Sequence, residues 1–162
     1  MNKKERFRVM LCGDPVDRIP VGFWYHFSPQ FHGGEAMARR HIEYYRATDL
    51  DIMKVMNDTG YRPIGSFRVE RAHDWLRMEP TPLDDERFQK HLEGLKLIVD
   101  ALGEEVLTMT TAFNAYNQAA EIIRASSPER YGTFHEACRA LIEQAQEAPD
   151  AVLFGLRTIS QD

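Results

Sequence analysis

The sequence has little of what would mark a secreted, metal-bound or nucleic-acid-binding protein. Among its 162 residues are only two cysteines, Cys12 and Cys138. They stand far apart, with no CxxC pair and no histidine at ligand spacing, so neither a disulfide framework nor a zinc site is expected and both are read as buried thiols. No run approaches the roughly 18 uninterrupted apolar residues of a membrane span. Met1-Asn2-Lys3-Lys4-Glu5 opens a mixed-charge helix rather than an apolar signal segment, which predicts a cytoplasmic protein with no membrane partner. There is no internal repeat or low-complexity segment. No stripe of Lys and Arg offers a phosphate footprint, which argues against nucleic acid.

What is there is an ordinary globular composition, 43% hydrophobic and 28% charged with a net charge of −5, enough for one core and one domain over residues 1–162. The charge is uneven. Residues 1–81 hold 13 Lys/Arg against 11 Asp/Glu, and residues 82–162 hold 7 against 14. A small anionic substrate would find its cations mainly in the first half.

Asn2 with Glu5 forms a capping box for a first helix carrying Phe7, Met10 and Leu11, which Gly13 and Pro15 stop. Ile19 to Tyr25 (IPVGFWY) is a near-continuous apolar run that predicts a strand buried on both faces. Ala38, Ile42 and Tyr45 mark the next helix, and Leu50 to Met56 a second strand, with a helix as the alternative because the alternation is imperfect. Residues 57–84 are long and irregular, with five Gly or Pro breakers and a short strand suggested around Phe67 and Val69. Phe88, Leu92, Leu95, Val99 and Leu102 define one helix face, and Val106 to Phe113 a third strand. Three more helices follow. One spans Asn114 to Arg124, one is boxed by Thr133 and Glu136, and one carries Pro149 in its first turn. This alternation predicts an α/β fold of about three parallel strands with flanking helices.

Several of these stretches resemble the uroporphyrinogen decarboxylase family: Asn2 through Phe7, Gly13-Asp14-Pro15-Val16-Asp17-Arg18-Ile19-Pro20-Val21, His41–Tyr45, Thr48-Asp49-Leu50-Asp51, Lys54-Val55-Met56-Asn57-Asp58 and Val99-Asp100-Ala101-Leu102-Gly103. The motifs are short, and their order and spacing carry the resemblance. It implies the amino-terminal half of a (β/α)8, or TIM, barrel, since members of the family are about twice as long as this chain and such a barrel takes about 250 residues. It also implies a tetrapyrrole decarboxylase that needs no cofactor, or a methyltransferase working on a corrinoid-linked methyl donor. A non-catalytic remnant is the alternative outside enzymology.

In the family's decarboxylases an aspartate beyond the second strand gathers the pyrrole N–H groups, and Asp58 matches that position. A carboxylate suits the task because it accepts several N–H bonds and stabilises positive charge on a protonated pyrrole. His26, at the end of the first apolar run, is the candidate general acid or base. Trp24, Tyr25 and His73 are candidate substrate contacts, with core packing or loop anchoring as the plainer reading of the aromatics. Within Trp24-Tyr25-His26-Phe27-Ser28-Pro29-Gln30 there is no arginine, whereas the family's decarboxylases place carboxylate-holding arginines there. That departure argues against uroporphyrinogen itself as substrate. His26, His32 and His41 match no compact ligand motif, so no metal is assigned. The exposed edges of a cut barrel predict self-association, or pairing with a complementing half-barrel.

Overall fold

The computed structural model describes residues 1–58 and 67–161. Their contacts divide into two compact units, one built from residues 1–58 together with 83–112, the other from 67–82 together with 113–161.

The first unit begins with helix α1 (Lys3–Leu11), whose capping box forms as expected: the Asn2 side chain accepts from Glu5 N at 2.8 Å and the Glu5 carboxylate accepts from Asn2 N at 3.3 Å. Its buried residue is not one of the apolar trio but Arg6. Helix α2 (Gly34–Thr48) leads through Asp49, which sits in the left-handed region at φ 52°, to strand β1 (Ile52–Val55). Helix α3 (Glu86–Leu102), capped by the Asp85 carboxylate, then returns the chain to strand β2 (Leu107–Thr110). The strands pair in parallel, Ile52 opposite Leu107 through Val55 opposite Thr110, with α3 supplying the crossover that parallel strands require. Met37, Tyr45, Met53, Val55, Ile98, Leu102 and Val106 form the core beneath.

Three expectations fail here. The sheet among the described residues has two strands, not three, and helices dominate the chain, so the fold is a small helix-rich one and not a partial TIM barrel. Residues 19–25 are extended yet form no strand. The Val21 carbonyl accepts from Asp51 N at 2.8 Å, but Val21 N donates to the Asp51 carboxylate instead of to a backbone partner, and Pro20 has no N–H to give. Ile19, Phe23, Trp24 and Tyr25 are all exposed, so the apolar run does not mark a segment covered on both faces. The third failure is one of rotation: α3 buries His91, Gly94, Ile98 and Leu102, while Leu92 and Val99 of the expected stripe face outward.

The second unit contains a 3-10 segment (Ala72–Arg77) and helices α4 (Ala115–Ser126), α5 (Phe134–Glu147) and α6 (Pro149–Ile159). The Asn114 cap, the Thr133–Glu136 box and Pro149 in the first turn are all present. Trp75 is the centre of its core: the indole is fully buried, donates from Nε1 to Gln144 Oε1 at 2.8 Å, and lies where a Cβ on Gly155 would come within 2.4 Å of the ring. The strand suggested around Phe67 and Val69 is absent. Val69 N donates to the Ser126 hydroxyl at 2.9 Å, which ties the segment to α4 through a side chain rather than a ladder. Cys12 is exposed and Cys138 half-buried, neither being the fully buried thiol expected. Among the described residues no helix is long and apolar enough to cross a membrane.

Candidate functional site

Asp58 follows β1 by three residues, beyond the strand's carboxyl end, which is where open parallel α/β sheets place their ligand-binding groups. Its side chain is only 11% exposed. Oδ1 accepts from the His26 ring at Nδ1, 2.5 Å away, and Oδ2 lies 4.0 Å from His32 Nε2. The two residues singled out separately in the sequence, 32 positions apart, therefore meet. His26 is 65% exposed. An ion pair with so exposed a partner contributes about 1 kcal/mol or less to folding, and its ring stays accessible to a solute.

The surroundings hold this pair in place from three directions. His32 donates Nε2–H to the Phe27 carbonyl at 2.8 Å, fixing the loop that carries His26. Phe27 is buried, with Tyr25 at 5.1 Å, Tyr44 at 5.8 Å and the His41 ring edge-on at 4.9 Å between centroids. The guanidinium of Arg40 covers the Phe27 ring at 5.1 Å. Upstream, Asp51 is fully buried and accepts from Arg6 Nη1 at 2.7 Å, from Arg18 Nη1 and Nη2 at 2.5 and 2.8 Å, and from Val21 N at 3.0 Å. Arg6 also holds Asp17 through Nε at 2.7 Å, and that pairing keeps the Asp17 carboxyl well below the usual carboxylate range. The network fastens the extended segment that ends at His26 against the start of β1. Arg18 is thereby committed to structure rather than to substrate.

Of the expected substrate contacts, Trp24 is exposed with the Lys54 ammonium 4.0 Å above its ring, and exposed Tyr25 leans on Phe27. Trp24 and Phe23 were expected in a core and are outside it; Tyr45 alone of the expected aromatics is fully buried. His73 is exposed on the 3-10 segment of the second unit. Residues 59–66, part of the long stretch of sequence read as irregular, lie outside the described residues.

A separate open cleft of about 540 Å³ lies at the start of α2, lined by Gln30, Gly33, Gly34, Arg39 and Lys90 together with Glu35 and Glu93. The Glu93 carboxylate already stands against Gly34, where it meets the positive end of the helix, and Lys90 is paired with Glu86 at 2.6 Å. Two of the cleft's charges, Lys90 and Glu93, are thus met from within the chain.

Two residues near Asp58 have a stronger place in the site than the sequence suggested. His41, considered in the sequence as part of a rejected metal motif, and His91, not considered there, are both buried and both lie within electrostatic reach of the Asp58 carboxylate. Burial holds each imidazole below its ordinary range, with Asp58 opposing the effect in both and His41 adding to it in His91. The signal that would have found His91 is its spacing to Gly94, Ile98 and Leu102, the face that is in fact buried. Among the described residues no three His, Cys, Asp or Glu side chains gather in an arrangement able to hold a metal ion.

Compared with protein-family models, with curated proteins and with solved structures, the chain matches none of them.

Proposed function

We propose that the chain carries a proton-handling site of the kind its resemblance to the uroporphyrinogen decarboxylase family implies, in which Asp58 gathers the N–H groups of a pyrrole-type ligand and His26 gives or takes a proton at the exposed side. The observation that supports this reading is the 2.5 Å contact between His26 Nδ1 and the Asp58 carboxylate beyond the end of β1. An ionised carboxylate accepting from an imidazole N–H keeps three further lone-pair directions for ligand donors. The partly exposed imidazole is the residue type whose protonation changes most readily near neutral pH.

The substrate on this reading is poor in carboxylates. No arginine pairs with Asp58 among the described residues, and none occurs in residues 24–30. The same observation favours, as a second reading, a corrinoid-type ligand, whose periphery is made of neutral amides.

Fluorescence and absorbance titrations with uroporphyrin, coproporphyrin and hydroxocobalamin test both readings against one variant. Losing a hydrogen bond to a charged group costs about 1.5–3 kcal/mol, so Asp58→Asn is expected to weaken the best ligand by roughly tenfold to a hundredfold. Coproporphyrin or hydroxocobalamin should bind ahead of uroporphyrin. Equal binding by Asp58→Asn, or no binding of any of the three, would overturn the proposal.

A further inference from the structure

His41 and His91 stand behind the pair that the proposed site uses. His41 is 2% exposed on α2 and His91 8% exposed on α3, two helices that pack directly on each other. His41 Nδ1 lies 2.9 Å from the Met37 carbonyl one turn back. Only an N–H can meet a carbonyl oxygen in this way, so Nδ1 carries the proton and Nε2 is a bare lone pair. That Nε2 is buried without a hydrogen-bond partner, and so is His91 Nδ1. Buried side-chain polar atoms are nearly always partnered. Two orphaned nitrogens on facing helices therefore mark a place where the packing tolerates neutral imidazoles and not charged ones.

The groups that act on this pair come from each neighbouring element. From α2 and α3 each histidine has the other, from the chain after β1 both have Asp58, and from the loop before α2 His41 has the uncharged edge of Phe27. Arg40 lies over the Phe27 ring and is itself 3.5 Å from Glu43. Among the described residues, Asp58 is thus the one opposite charge acting on either imidazole.

We propose that His41 and His91 form an acid-operated latch between α2 and α3: neutral, they let the helices close over them, and protonated, they place N–H donors at buried positions where the answering charge among the described residues is Asp58, which loosens the helix pair and draws Asp58 away from His26. The consequence for ligand binding rests on the Asp58 reading given above; the opening of the helices does not.

The direction with pH follows from burial. Because both imidazoles are held below the range they have in the unfolded chain, the unfolded state binds more protons in acid. Their contribution to stability is complete above about pH 6.5, the ordinary imidazole value, and is lost as pH falls below it. Carboxylates held down by cations, Asp17 and Asp49 among them, lose theirs only near and below about pH 4. A comparison between about pH 7.5 and about pH 5 isolates the histidines.

Amide hydrogen exchange of the full chain, corrected for the intrinsic pH dependence of the chemistry, reads the latch without any ligand. Residues 34–48 and 86–102 are expected to lose about tenfold in protection across that interval while residues 134–147 of α5 keep theirs. The response should vanish in the His41→Gln, His91→Gln double variant and survive in His26→Gln. Protection of α2 and α3 that ignores pH, or a response that persists in the double variant, would overturn the proposal. Should the double variant not fold, imidazole NMR titration of the wild type decides: His41 and His91 are expected to titrate below the ordinary imidazole value of about 6.5, and either one titrating at or above it would refute the latch. Loss of porphyrin or cobalamin binding at pH 7.5 would count against the Asp58 reading and leave the latch standing.

Discussion

Asp51→Ala removes the side chain that fixes the approach to the site. In the native chain this buried carboxylate receives one N–H from Arg6, two from Arg18 and the backbone N–H of Val21. Removing one partner of a buried ion pair costs about 3–5 kcal/mol, because the charge left behind keeps its desolvation and loses its compensation. Two features favour the lower end. Arg6 retains the Asp17 carboxylate, and Arg18, whose side chain is 45% exposed, has water to turn to. The expected loss is about 3 kcal/mol. Urea denaturation at neutral pH, followed by circular dichroism and by the fluorescence of a Trp75→Phe background in which Trp24 is the remaining tryptophan, is the measurement. The loss should persist in high salt, since buried pairs are screened far less than exposed ones. The His26 imidazole resonance should also move, as the segment that carries it comes free of β1. A change below about 1 kcal/mol, the range of solvent-exposed pairs, would refute the claim that Asp51 organises this region from a dry interior.

Gly155→Ala should destabilise the second unit although it improves helix propensity by about 1 kcal/mol: the new Cβ meets Trp75 Cε3 at 2.4 Å, a rigid ring, and overpacking of that kind costs about 1–3 kcal/mol. Thermal unfolding of this variant beside Gly94→Ala separates the two effects: the Cβ at Gly94 meets the end of the flexible Met37 side chain at 2.6 Å and the Gly34 carbonyl at 3.1 Å, a looser approach than to the Trp75 ring, so Gly94→Ala is expected to cost less. Gln144→Leu leaves the buried Trp75 N–H without its acceptor and should cost about 1–3 kcal/mol by chemical denaturation. Adding Trp75→Phe to Gln144→Leu should cost less than the sum of the two single changes.

The parts of this fold that were legible in the sequence are those decided within one turn of chain. The Asn2–Glu5 and Thr133–Glu136 boxes and Pro149 depend on residues three apart or adjacent, and all three form. The apolar stretches around β1 and β2 also read correctly, because their pairing is served by an intervening helix of the expected length. Residues 19–25 did not, for a physical reason: hydrophobicity reports a tendency to be covered but does not say by what, and at Val21 a carboxylate from residue 51 takes the N–H that a neighbouring strand would have used. The barrel expectation fell with that strand. On α3 the apolar residues outnumber the places available, so two adjacent stripes competed, and the buried one runs through a histidine and a glycine that carry no hydrophobic signal. Asp58 and His26 each stood out by position along the chain, but their contact did not; of the two histidines behind them, His91 was hidden by the same rotation of α3.

The second unit is discontinuous in sequence, and this has a consequence for its birth on the ribosome. Trp75 is made about 80 residues before Gly155, the residue whose missing side chain makes room for it, and well before Gln144 supplies its acceptor. At about 5–20 residues per second, that is a wait of roughly 4–16 s. Throughout it a large indole has left the ribosome without the partners that later bury it, and α4 emerges ahead of the helices that complete the same core. The 3-10 segment and α4 are thus the stretches of the nascent chain with the longest opportunity to meet a chaperone or another unfinished copy, and translation speed after residue 126 sets how long that opportunity lasts.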